Sequence, residues 1–86
     1  MKFKKSTNTI WTMSGEKLNI TLLDTDCNEI YSFTGPVALL LNEFLAKSDF
    51  TLSVLEVESF LGENVEEKDL LSLKNFCLEK KIIIAA

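Results

Sequence analysis

Catalysis needs a nucleophile beside a base, a positioned acid, or a metal, and the side chains that usually fill those roles are scarce in this sequence. Its 86 residues include no histidine, no arginine and no glycine-rich phosphate loop. The two cysteines, Cys27 and Cys77, are far apart with no CxxC pair, so the usual zinc ligand sets cannot be assembled. Both thiols are expected to be reduced, and Cys77 falls on a helical core spacing where cysteine behaves as a small hydrophobe. Asp24, Asp26 and Glu29 could be drawn as a calcium cluster, yet the EF-hand glycine and terminal glutamate spacing are missing, and a solvated turn is the simpler reading. Gly15 and Gly35 are isolated and read as backbone devices for a turn and a helix entry. No catalytic residue, metal or cofactor is therefore expected, and the protein reads as a non-enzyme.

Charge narrows the range of partners. Nine lysines face thirteen acids for a net charge of -4, without the guanidinium forks that favour phosphate recognition. Between Asp49 and Asp69 seven acids are answered only by Lys68, so a duplex would be repelled there and nucleic acid is a poor partner. Apolar runs such as Val37 to Leu41 fall far short of the roughly 20 residues that span a bilayer. Lys2 to Lys5 precedes no apolar signal-peptide core, which leads to an expected cytoplasmic location with no membrane partner.

Something must position the remaining surface, and the length allows one small domain over residues 1–86, with 47% hydrophobic and 26% charged residues as in ordinary globular chains. The first half reads as strands. Thr7 to Met13, a turn at Ser14 to Lys17, Leu18 to Leu23, a turn at Asp24 to Asn28, and Glu29 to Phe33 make a three-stranded meander. In its third strand Ile30 and Ser32 share one face while Tyr31 and Phe33 share the other. Thr34 is placed to cap a helix whose first turn holds the only proline, Pro36, and Val37, Leu40, Leu41, Phe44 and Leu45 give it one wide apolar face ending near Lys47.

Phe50 to Leu61 fits both periodicities, since Phe50, Leu52 and Val54 alternate while Phe50, Val54, Val57 and Leu61 share a helical face. Helix is preferred, with Thr51 or Ser53 as cap and Gly62 as its end. A third helix follows, with Asn64 and Glu67 spaced as a capping box, an acidic first turn, Lys80 and Lys81 at its negative end, and a buried stripe of Leu70, Leu73 and Cys77. Ile82 to Ile84 either adds a terminal strand or packs as a tail. Burying that stripe leaves Leu71 and Leu78 on a neighbouring helix face around Lys74 and Asn75, unless the whole broad face is buried against the sheet. A three-stranded meander cannot close, so an edge strand stays open to another chain.

The run Asn28-Glu29-Ile30-Tyr31-Ser32-Phe33-Thr34-Gly35-Pro36-Val37-Ala38-Leu39-Leu40 resembles the strand-to-helix junction of PqqD-like proteins. Leu70, Leu73, Cys77 and Ile82 fall on the spacing of that family's last helix and the short apolar segment after it. The resemblance spans roughly Thr7 to Ile84, at the level of pattern. It implies an RiPP recognition element: an α+β, winged-helix-like domain with a three-stranded antiparallel meander followed by a three-helix bundle. Such a domain binds the leader segment of a ribosomally made precursor peptide by strand addition and presents it to a separate modifying enzyme.

The family's groove maps here onto Asn28 to Phe33 and Glu66 to Lys80. Its implied peptide-binding residues are Glu29, Ile30, Tyr31, Ser32 and Phe33 on the strand, with Leu71, Lys74, Asn75 and Leu78 on the helix. The acidic stretch is then expected to face away from the groove, leaving Lys74 and Lys81 for acidic residues of the leader. Two positions depart from the family: Lys81 stands where it usually has glycine, and Ala46-Lys47-Ser48-Asp49 replaces a glycine-containing turn. The alternative reading is a winged-helix nucleic-acid-binding or regulatory domain, which shares the architecture but is opposed by the charge.

Overall fold

The one-sided alternation of the N-terminal half dictates a sheet that must be covered on one face. In the computed structural model, which describes residues 2–23 and 29–86, that cover is helical. The expectations that concern 24–28, namely the second turn with its calcium reading, Cys27 and the strand start at Asn28, lie outside the described residues. The elements run β1 (Phe3–Lys5), β2 (Thr9–Ser14), β3 (Lys17–Leu22), β4 (Glu29–Thr34), α1 (Pro36–Leu45), α2 (Val54–Leu61), α3 (Glu67–Glu79) and β5 (Ile83–Ala85). The fold is α+β, a three-stranded antiparallel sheet in the order β2-β3-β4 followed by three helices, as the sequence predicts.

Register makes the sheet amphipathic. Trp11, Ile20 and Tyr31 form one cross-strand row, and Met13, Leu18 and Phe33 the next, all packed into or against the core. The opposite face carries Thr12, Asn19 and Ser32 in one row and Ile10, Thr21 and Ile30 in another. Gly15, at φ 62°, supplies the left-handed first residue of the two-residue β2–β3 loop. Leu40, Leu41, Phe44 and Leu45 of α1 are buried beneath the sheet, and Trp11 Nε1 donates to Asn42 Oδ1 at 3.1 Å, tying β2 to α1.

Several local expectations give way to stronger competitors. A two-stranded antiparallel sheet of β1 and β5 was not foreseen at the lysine-rich start, because its only large apolar residue is Phe3, which is 3% exposed. Its partner comes from the segment Ile82 to Ile84, for which the sequence allows strand or tail, and it is a strand from Ile83 onward. Phe3 also exchanges both backbone hydrogen bonds with Phe50, at 2.7 and 2.9 Å. That bridge holds Phe50 extended, so the helix expected from Phe50 begins only at Val54, where the Ser53 hydroxyl accepts from Glu56 N–H.

Thr34 does not cap α1; it ends β4, and Gly35 at φ 70° is the N-cap with no side-chain bond. The Asn64–Glu67 capping box does not form either, because α3 starts at Glu67 with Glu66 as N-cap. The Glu58 carboxylate accepts the nearby Val65 N–H instead, at 2.8 Å.

The end of α3 is a Schellman motif. Ile82 N–H bonds Cys77 O at 2.9 Å and Lys81 N–H bonds Leu78 O at 3.1 Å, with Ile82 and Cys77 both fully buried. This motif forces Lys81 to φ 61°, a left-handed conformation that costs a residue with a Cβ about 1–2 kcal/mol. Replacing it by glycine removes that strain at the cost of a more flexible unfolded chain. Lys81→Gly is therefore expected to raise unfolding stability by about 1 kcal/mol, measured as a higher urea midpoint at unchanged slope. A lower midpoint would show that the side chain contributes more than the backbone loses.

Candidate functional site

The edge of β4 that faces away from β3 pairs with no strand among the described residues. Alternation sends Tyr31 and Phe33 to the core face, where both meet Phe76 of α3 edge-on. The ring centroids are 5.5 Å apart for Tyr31–Phe76 and 6.0 Å for Phe33–Phe76, with interplanar angles of 88° and 83°. One turn further along α3, Lys80 Nζ lies 5.9 Å from the Tyr31 ring centroid. Leu73 lies one turn the other way, and at 100° per residue it shares the Phe76 side of the helix. Together the half-buried Tyr31, Phe33, Leu73 and Phe76 make an aromatic and aliphatic seam, the cleft where β4 meets α3, beside a strand edge unpaired among the described residues.

The cleft is polar at its Tyr31 end. The Tyr31 hydroxyl donates to the Glu29 carboxylate, two residues back on the same strand face, and that bond raises the phenol above its ordinary pKa. A depression of about 250 Å³ beside it is lined by Leu22, Glu29, Glu79, Lys80 and Lys81, so two cations and two carboxylates meet there.

The sequence-predicted residues divide across this arrangement. Glu29, Tyr31 and Phe33 line the cleft side. Ile30 is 66% exposed on the outer sheet face, and Ser32 beside it donates to Asn19 Oδ1 at 2.7 Å; both offer the cleft only their main chain. Leu71, Lys74, Asn75 and Leu78 lie, by helical angle, on the other flank of the Leu70–Cys77 stripe from Phe76. Leu71 and Lys74 line a depression of about 280 Å³ with Leu52, Ser53 and Val54, and Lys74 Nζ sits 5.7 Å from the Phe3 ring centroid. Asn75 is exposed on the same side, and Leu78 is half-buried against the core.

The sequence reading assigns none of Leu73, Phe76 and Lys80 to the groove. A signal existed: Asp69, Leu73, Phe76 and Lys80 recur at i, i+4, i+7 and i+11, a second helix face carrying the only aromatic residue of α3. The acidic stretch is also not wholly turned away, because Asp69 belongs to this face.

Set against family models, curated proteins and solved structures, the chain matches none of them. Among the described residues no three His, Cys, Asp or Glu side chains gather as a metal ion would need, and no helix is long and apolar enough to cross a membrane.

Cys77 is the described thiol, and it is fully buried in the core, as its spacing predicts. Burial pushes its pKa from 9.0 up to about 12, since the thiolate cannot be solvated there. Between those values the folded protein keeps a proton that the unfolded chain releases, so stability falls as pH rises from about 9 toward 12 and is unaffected by this group below that range. In a Cys27→Ser variant, Cys77 should react with a thiol reagent in native buffer no faster than the protein unfolds, and at once in denaturant. Rapid stoichiometric labelling of the folded variant would show a reachable thiolate.

Proposed function

We propose that this protein is a non-catalytic adaptor that binds the leader segment of a ribosomally synthesised precursor peptide and presents it to a separate maturation enzyme in the cytoplasm. The observation that carries the reading is the edge of β4, unpaired among the described residues, whose Tyr31 and Phe33 rings meet Phe76 of α3, with Lys80 one turn on over Tyr31. An extended peptide added antiparallel to β4 satisfies its own N–H and C=O groups on that edge. Its alternate side chains then point into the cleft, where Tyr31, Phe33, Leu73 and Phe76 offer apolar contact.

Backbone pairing supplies attraction that is independent of sequence, and the cleft supplies the choice of sequence. The strand-to-helix run from Asn28 to Leu40, with its resemblance to PqqD-like proteins, agrees with this division of labour. The net charge of -4 and the absence of arginine weigh against the nucleic-acid reading of the same architecture.

Titration with the leader segment of a precursor peptide encoded beside this protein tests the proposal. Amide shifts are expected on Glu29 to Thr34 and on Leu73, Phe76 and Lys80. Phe76→Ala removes a central aromatic anchor and should weaken the complex by at least ~2 kcal/mol, roughly thirtyfold, in a variant whose spectrum stays folded. Shifts confined to α1 and α2, or an unchanged affinity for the variant, would sink the reading.

A further inference from the structure

Past Phe33 the chain turns at Gly35 into α1, whose first residues, with α2 and α3, enclose an apolar pocket of about 100 Å³ at the junction of the three helices. Val37 and Leu40 of α1, Leu61 of α2, Val65, and Leu73 of α3 line it, and Asp69 is its one charged lining residue. Val37 is 36% exposed at its mouth. Leu73 of this pocket lies one turn before Phe76 on the same side of α3, so the pocket and the Tyr31–Phe33–Phe76 cluster follow one another along the helix.

Two features fix what fits. A liquid water occupies about 30 Å³, so the pocket holds about three or four non-hydrogen atoms, the size of a Val, Leu or Ile side chain and less than an indole. Its lining offers water almost no polar partner, so an aliphatic group displaces nothing well bound.

Direction follows from the sheet. A strand added antiparallel to β4 runs from the Thr34 end toward the Glu29 end, so its N-terminal side passes the pocket and its C-terminal side approaches Lys80. We propose that this three-helix pocket anchors one aliphatic side chain of the bound peptide, on the N-terminal side of the strand-paired segment, with a lysine or arginine next to it meeting Asp69. The inference rests on the strand-addition reading and adds a specificity determinant to it.

The test is a selection of displayed random 14-residue peptides on the wild-type protein, on Val37→Phe, which fills the mouth of the pocket, and on Asp69→Lys, which reverses its charge. Both positions are at the surface, and native melts confirm that each variant folds. Peptides enriched on the wild type should carry alternating apolar residues, preceded by a Val, Leu or Ile with a neighbouring basic residue. Val37→Phe should bind the best of them about tenfold more weakly and lose the aliphatic preference. Asp69→Lys should weaken it up to about fivefold at low salt and select acidic neighbours instead. If alternating peptides emerge and shift β4 amides but are the same on all three proteins, the anchor pocket is overturned while strand addition stands. If no alternating peptide is enriched and β4 is unperturbed, both fall.

Discussion

The edge-on contact of Phe76 with Tyr31 and Phe33 decides where α3 lies relative to the sheet, and the character of the cleft follows from it. Two rings from one strand meet a third from the helix at near-right angles, an arrangement that sets the separation of the two elements as well as their attraction. The contact sits at an outer strand, while α1 covers the sheet face, and the far edge of β4 pairs with no strand among the described residues. Had the helix been anchored on the central strand alone, through Leu18 and Ile20, nothing would hold its apolar flank beside that edge.

Fold class was legible because it rests on period. The alternation in β2, β3 and β4 and the 3.6-residue recurrence in α1 each leave one burial solution, and the structure adopts them. What could not be read was the assignment of flanks. Both sides of the Leu70–Cys77 stripe carry apolar residues, Leu71 and Leu78 on one and Leu73 and Phe76 on the other. A helical wheel ranks them by angle without saying which angle meets β4. That depends on how the chain returns from α2, a long-range matter. The same limit hid β1: three residues with one phenylalanine carry no periodic signal, and their structure comes from partners more than forty positions away, Phe50 and the Ile83–Ala85 strand.

Competition for backbone groups explains the smaller departures. Asn64, Glu67 and Thr34 have the right types for caps, but the helices begin where tertiary hydrogen bonds leave room for them, and the Glu58 carboxylate satisfies the N–H of Val65 from a different helix. Phe50 to Leu61 looked ambiguous because it contains both structures, extended up to the bridge with Phe3 and helical after Ser53. The Schellman turn gives the opposite lesson: its hydrogen bonds are formed even though the residue at the left-handed position is lysine, so burial of Ile82 and Cys77 outweighs local preference.

Pairing of β1 with β5 places Ala86 N–H on Lys2 O at 2.9 Å, so the two ends of the described chain meet at one point. The polypeptide is topologically almost a ring. Joining those ends with a short linker and opening the chain at an exposed loop would preserve every strand pair and every helix, because no element depends on the ends being separate. For the same reason the fold can sit as an insertion within a surface loop of a larger protein, entering and leaving through a single gate.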